Sequence, residues 1–134
     1  MTVKLHTTPG RDSGSTSVEM ALILLPLLLL LVGGVEAGRY YWTRHVVAAA
    51  AAEGARLAIL NGPTDAEVAA RARRILVEGG VSQAAGVTVS ARQANQPVTV
   101  RVDLPYAFFG LGGLVPAFAA VDSISITSMM VHQP

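Results

Sequence analysis

The hydrophobic positions of this chain follow two different patterns in its two halves. Residues 20–35 (MALILLPLLLLLVGGV) are uncharged throughout, which is typical of a helix that spans a membrane. Residues 15–17 (STS) are types that begin helices, and Asn61-Gly62-Pro63 is a helix-ending sequence. The pattern predicts one long helix over residues 15–60, kinked at Pro26 because proline removes a backbone donor.

The apolar run is short for a bilayer. At ~1.5 Å per residue, residues 20–35 cover about 24 Å, whereas a hydrocarbon core is ~30 Å thick. Val18 on one side and residues 37–42 on the other are therefore predicted to help span it. Tyr40, Tyr41 and Trp42 would then form an aromatic belt at the membrane interface.

Small residues along the same helix are candidates for close packing. Gly34 and Gly38 form a GxxxG pair, which indicates a possible helix-packing interface. The alanine run at residues 48–52 has two interpretations, simple helix propensity or a smooth surface for packing, and the sequence does not choose between them.

The second half begins with a shorter amphipathic helix. Thr64 and Glu67 have capping-box spacing, and Gly79-Gly80 is expected to end the helix. The apolar residues fall on one face, and the arginines are expected on the solvated side, where a ligand-binding role is disfavoured. The apolar set is Val68, Ala72, Ile75 and Leu76, and the arginines are Arg71, Arg73 and Arg74.

The remainder alternates with a period of two, which predicts strands. Residues 87–92 alternate valine or alanine with polar residues, and residues 98–104 alternate valine or leucine with polar residues, on either side of a turn at 93–97. Ile124 and Ile126 mark a third strand. The predicted fold class is α+β: a long N-terminal transmembrane, pilin-type helix, then a second helix packed on a small three-stranded antiparallel sheet. The second helix and the end of the long helix would cover the sheet.

One apolar loop has two possible roles. Residues 106–118 (YAFFGLGGLVPAF) either complete the small core or stay exposed as a contact patch. The residues concerned are Tyr106, Phe108, Phe109, Leu111, Leu114 and Phe118.

Composition narrows the function classes. The chain is 51% hydrophobic, 14% charged and free of cysteine, with a formal net charge of +1, so no basic field attracts nucleic acid. His6, His45 and His132 are scattered, and no nucleophile-elbow or phosphate-binding motif occurs. We therefore expect no enzyme activity, no metal, no cofactor and no small-molecule substrate.

Glu19 is an acid at the edge of the apolar run. A charge at mid-membrane costs about 2.5–3.5 kcal/mol and less near the interface. Glu19 either lies among lipid headgroups, favoured by the positive end of its helix, or has a specific function.

Residues 14–60 resemble the TadE-like pseudopilins of tight-adherence (Tad/Flp) type IV pili. That family has a processing glycine, a glutamate five residues later, a leucine-rich run with proline, and E-x-G-R and E-G-A-R elements. Here these are Gly14, Glu19, Pro26, residues 36–39 (EAGR) and residues 53–56 (EGAR). The chain departs from the family in having Met20 where an aromatic is usual and Ala52 where an arginine is frequent.

The resemblance implies that a prepilin peptidase cuts between Gly14 and Ser15. Residues 1–14 would be a disordered leader, 15–60 the membrane-spanning and assembly helix, and 61–134 a small extracytoplasmic domain. The new amine of Ser15 would lie one helical turn from Glu19, which would neutralise that amine or meet the amine of a neighbouring subunit and set the register of assembly.

The implied function is a minor pilin or pseudopilin used to assemble a Tad pilus for adherence. Its partners would be prepilin peptidase, Flp-type pilin, other pseudopilins, the Tad assembly platform and membrane lipid. It would cross the cytoplasmic membrane once and could enter the surface pilus. Lys4 and Arg11 favour a cytoplasmic N-terminus, although Arg39 and Arg44 weaken that bias.

Two alternatives stay open at this point. Residues 35–37 (VEA) could be a signal-peptidase site, which would release a secreted protein that begins at Gly38. A signal-anchored extracytoplasmic binding protein unrelated to pili would instead keep every residue.

Overall fold

The fold is α+β, as predicted, and the described residues form two helices and three strands. The computed structural model describes residues 12–60, 62–81, 85–90, 96–110, 113 and 120–131. In chain order the elements are α1 (Asp12–Ala58), α2 (Asp65–Glu78), β1 (Gly86–Val89), β2 (Pro97–Pro105) and β3 (Ser123–Val131).

Helix α1 has 47 residues and passes Pro26 without ending, so its length is about 70 Å. It begins at Asp12, which corrects the predicted start at residue 15 and makes residues 12–14 of the expected disordered leader helical. Aspartate and serine at residues 12 and 13 are types favoured at helix N-termini. The rest of the leader lies outside the described residues, and the kink at Pro26 stays a prediction.

Two parts of α1 have opposite surroundings. From Thr16 to Val35 nearly every side chain is exposed, whereas the part from Val46 to Ala58 contributes six buried side chains to the core. Four of these six are alanines, and all four are fully buried: Ala50, Ala51, Ala55 and Ala58. The alanines are therefore a close-packing surface that the chain uses for its own domain.

Helix α2 begins as the sequence predicts. The Thr64 hydroxyl accepts the Glu67 N–H at 3.3 Å, and the Glu67 carboxylate accepts the Thr64 N–H at 2.6 Å. Both bonds of the capping box are thus present. The helix ends at Gly79, whose N–H bonds to the Ile75 carbonyl at 2.9 Å.

The inward face of α2 matches its predicted apolar stripe, with one correction on the other side. Val68, Ala72 and Leu76 are buried, and Arg73 and Arg74 are exposed. Arg71, expected to be solvated, instead bonds to Glu53 of α1, with Nη2 3.0 Å from Oε1. The single-sequence pattern could not reveal this because Glu53 belongs to another helix.

The three strands form one antiparallel sheet in the order β1-β2-β3. Val89 lies opposite Val100, and β3 pairs along the whole of β2, from Pro97 opposite Val131 to Pro105 opposite Ser123. Pro97, predicted to lie in the hairpin turn, is the first residue of β2, a position where proline is tolerated. Residues 93–95 of that turn, and residues 91 and 92 of the predicted first strand, lie outside the described residues.

The core lies between one face of the sheet and both helices. The inward residues of β2 are all buried: Val98, Val100, Val102 and Leu104. Gly54 of α1 is also buried at this contact, where a β carbon would lie 3.2 Å from Val100 Cγ1 and 3.6 Å from Ala72 Cβ. The predicted cover, α2 with the end of the long helix, is confirmed.

The loop after β2 takes both of the roles left open by its sequence: part of it completes the core, and part of it stays exposed. Tyr106 is buried, and its N–H bonds to the Asp122 carbonyl at 2.9 Å. Phe108 is half-buried, but Phe109 is exposed. Leu111, Leu114 and Phe118 lie outside the described residues.

Candidate assembly helix and its juxtamembrane clasp

The predicted processing and assembly residues all lie at the beginning of α1. Gly14 and Ser15 are within its first turns, and Glu19 is exposed one turn beyond Ser15. The four-residue separation places Ser15 and Glu19 on one side of the helix. The first turn of a helix lacks internal partners for its N–H groups, so it is the part that opens most readily for a protease. Their processing and register roles stay predictions.

The exposed part of α1 is the candidate membrane span. Within the described residues, one helix is long and apolar enough to cross a membrane, and its most apolar stretch has no buried residue. Glu19 and Glu36 bracket this stretch about 25 Å apart along the axis. A run of large apolar side chains with no protein cover is consistent with lipid contact.

The GxxxG pair lies on bare helix surface. Gly34 and Gly38 are exposed, and a β carbon built on either would meet nothing within 4 Å. Within the described part of the chain, no neighbour lies within 4 Å of a β carbon at either glycine, and the role of the pair in packing against another helix stays a prediction.

A polar cluster joins the top of the apolar stretch to the loop after β2. We call it the juxtamembrane clasp and define it as Glu36, Arg39 and the backbone of Phe109. Glu36 Oε1 accepts the Phe109 N–H at 3.1 Å and an Arg39 guanidinium N–H at 3.2 Å. The Arg39 guanidinium also lies 5.6 Å from the centre of the Phe109 ring.

The clasp explains how a carboxylate is buried here. Glu36 is only 5% exposed, and an uncompensated buried charge would be costly. One charged partner and one backbone donor compensate it, and hydrogen bonds to an ionised group are stronger than neutral ones. Glu36 thus fixes the loop to the helix at the level where the apolar stretch ends.

Aromatic side chains extend this joint above the clasp. Tyr40 packs edge-on against Tyr106 with ring centres 5.5 Å apart and stacks on Phe108 at 5.9 Å. The Trp42 indole N–H donates to the Gly79 carbonyl at 3.1 Å. Burial of Tyr106 raises the pKa of its hydroxyl, which therefore stays protonated at neutral pH.

The predicted aromatic belt and the predicted extent of the span stay predictions, although two of the belt residues also contact the folded domain. Tyr40 packs on the aromatics of the domain, whereas Trp42 donates one hydrogen bond to the domain and is still 61% exposed. Aromatic residues after an apolar run give the same sequence pattern whether their side chains contact lipid or a folded domain. Tyr41 is exposed, as a belt residue would be.

The second charged motif, residues 53–56, holds the two helices together. Glu53 bonds to Arg71 of α2 and lies 4.0 Å from Arg56, while Ala55 is fully buried. The sequence indicates both charged motifs only through the family resemblance. For residues 36–39, a glutamate and an arginine three residues apart at the end of an apolar run are a further signal.

Comparison with known proteins gives one family. The family model described as TadE-like protein matches residues 14–56. The matched range begins at the candidate processing glycine and contains Glu19 and both charged motifs, so the resemblance seen in the sequence is confirmed over that range. No curated protein and no solved structure matches the chain.

Proposed function

We propose that this chain, which is TadE-like over residues 14–56, is a minor pilin or pseudopilin cleaved by prepilin peptidase after Gly14. The TadE-like match itself implies a pilin-like protein associated with a Tad pilus. Cleavage, the mature start at Ser15 and a part in assembling the Tad (Flp) pilus for adherence are the proposal. The role is structural rather than enzymatic.

The observation that carries the proposal is the double use of α1. Its first part is an exposed apolar helix, and its last part contributes buried side chains to the domain core. A subunit that moves from a bilayer into a filament needs apolar side chains that lipid can cover first and neighbouring helices afterwards. A continuous helix also carries the domain with it as one piece.

Glu19 is proposed to act in assembly. Cleavage after Gly14 would place a new positive amine at Ser15, one turn from the Glu19 carboxylate, at the edge of the apolar stretch. Each charge is costly near hydrocarbon unless it is paired. A pairing between Glu19 and the amine of the neighbouring subunit would fix the axial register of the two helices.

The proposed partners and location follow from this role. Prepilin peptidase would act on the leader, and Flp-type pilin, other pseudopilins and the Tad assembly platform would contact the helix. The chain would cross the cytoplasmic membrane once, with the domain from residue 61 onward extracytoplasmic, and would enter the surface pilus on assembly.

The secreted-protein alternative fits the structure less well. Cleavage after Ala37 would cut inside α1 and remove Glu36 from the domain. The Phe109 N–H and Arg39 would then lose the carboxylate that binds both of them. A signal-anchored binding protein would keep the clasp, and it differs from the proposal in retaining residues 1–14.

Substitution of Gly14 tests the processing step. We expect Gly14→Leu to accumulate as the uncleaved chain, because a bulky side chain blocks close approach of the peptidase to the backbone. Gly10→Leu, which changes another glycine of the leader, should be processed normally. Normal processing of Gly14→Leu would contradict the assigned site.

Substitution of Glu19 tests the assembly step. We expect Glu19→Ala to be processed and inserted in the membrane but to leave cells with fewer pili, counted by electron microscopy. Glu78→Ala removes an exposed acid of α2 and should leave piliation unchanged. Wild-type piliation in the Glu19→Ala strain would refute the register role.

A further inference from the structure

We propose that the loop at residues 106–110 is a second membrane contact, in which Phe109 inserts into the boundary between lipid headgroups and acyl chains. The occupant of this surface is the lipid bilayer that surrounds α1. The proposal goes beyond the pilus role and depends only on α1 spanning the membrane.

The loop lies at the level of the last apolar turn of α1. A β carbon built on Gly110 would be 3.5 Å from Val32 Cγ1, so this part of the loop touches the apolar stretch. The N–H of the neighbouring Phe109 donates to Glu36, which lies one helical turn beyond Val32 on α1. The loop therefore covers one side of the turn where the helix leaves the hydrocarbon core.

Phe109 is directed away from the protein at that level. It is 90% exposed, while Tyr106 and Phe108 of the same loop pack on Tyr40. The domain thus buries Tyr106, half-buries Phe108 and leaves Phe109 exposed. Val32 and Val35, on the turn of α1 beside the loop, are exposed apolar side chains as well.

The polar groups around Phe109 suit a headgroup region. A backbone donor near hydrocarbon must be satisfied within the protein, and Glu36 satisfies the Phe109 N–H. The Glu36 charge is compensated by Arg39, whose side chain is about half exposed and can reach toward lipid phosphates. Continuity with the spanning helix and compensated charges together favour lipid over a protein partner.

Glu36 is the positioning residue of this contact. Its carboxylate fixes the loop backbone, so its loss should let Phe109 move from the bilayer while α1 stays inserted. An amide in its place retains an oxygen that accepts the Phe109 N–H. Glu36→Gln should therefore preserve the position of the loop, whereas Glu36→Ala should not.

Spin labels on the full chain in phosphatidylethanolamine/phosphatidylglycerol nanodiscs test the proposal. The sequence has no cysteine, so Phe109→Cys, Leu30→Cys and Met129→Cys each give one labelled site. Leu30 lies on the bare apolar stretch, and Met129 is exposed on β3, toward the end of the sheet farther from the loop. Relaxation by oxygen, which partitions into lipid, is compared with relaxation by a water-soluble nickel chelate.

We expect the label at residue 109 to give an oxygen-to-nickel ratio between those at residues 30 and 129, clearly above the latter. Adding Glu36→Ala should shift that ratio toward the value at residue 129, and Glu36→Gln should leave it near the unsubstituted value.

Two results would overturn the proposal. A ratio at residue 109 equal to that at residue 129 would place Phe109 in water. Low accessibility to both reagents would place it against protein, such as a second copy of the chain. A water-like label at residue 30 would instead contradict the spanning helix, which separates that failure from failure of the loop contact.

Discussion

Substitution of Gly79 by alanine measures how closely the end of α2 approaches α1. Gly79 has φ −78° and ψ 3°, which alanine adopts, so the cost of Gly79→Ala is steric. A β carbon there would collide with Val46 Cγ1 and lie 2.7 Å from Val46 Cγ2. Carbon atoms pack at about 3.5–4.0 Å, so the helices must separate by roughly 1 Å at this point. Overpacking of this kind costs about 1–3 kcal/mol.

A double-mutant cycle separates this collision from other effects. Val46→Ala alone should cost about 2 kcal/mol for the two lost carbons. In the Val46→Ala background, Gly79→Ala should cost almost nothing, because the colliding methyl groups are gone. The expected coupling between the two sites is therefore about 1–3 kcal/mol.

The neighbouring glycine supplies the control. Gly80 has φ +77°, and a β carbon there would meet nothing within 4 Å. Gly80→Ala should cost about 1–2 kcal/mol through backbone strain alone. Val46→Ala should not relieve that cost.

Urea unfolding of the full chain in mild detergent provides the assay. Trp42, the sole tryptophan of the chain, reports on this contact because its indole donates to the Gly79 carbonyl. A loss of 2 kcal/mol should lower the midpoint by roughly 1 M. An unchanged midpoint for Gly79→Ala, or the same loss with and without Val46→Ala, would refute the steric argument.

Two further predictions concern the cap of α2 and the sheet surface. Thr64→Ala should destabilise the chain by about 1 kcal/mol in the same urea assay, and Thr64→Ser should retain most of the stability; equal losses would argue against the hydroxyl as the cap. Hydrogen bonds from Ser125 and Arg101 lower the pKa of Asp103, so its contribution to folding exists above its unfolded pKa of about 3.9 and is lost as pH falls through the lower folded pKa. Asp103→Asn should therefore be less stable than wild type at pH 7, with the difference shrinking as pH falls below about 3.9, and a difference that does not change with pH would contradict this assignment.

The secondary structure followed from local patterns because its causes are local. The alternating valines of β2 lie on one face because side chains in a strand repeat every two residues, and this periodicity predicted their burial correctly. The cap at Thr64 required only Glu67 three residues later. These features depend on neighbours in sequence, which a single chain displays.

The juxtamembrane clasp could not be found in this way. Glu36 accepts a hydrogen bond from the N–H of Phe109, which lies 73 residues later in the chain, and no periodicity links the two residues. The sequence predicts a membrane belt at Tyr40 and Trp42, and a folded domain selects aromatics at such a place as well. Their contacts with Tyr106 and Gly79 join segments distant in sequence, which no local pattern displays.

The most direct test of the account is the N-terminus of the protein isolated from membranes of cells with active prepilin peptidase. N-terminal sequencing and intact mass should show a chain that begins at Ser15, and loss of the peptidase should restore the full leader. A chain that retains Met1 while the peptidase is active, or one that begins at Gly38, would contradict the proposal of a processed, pilin-type assembly helix.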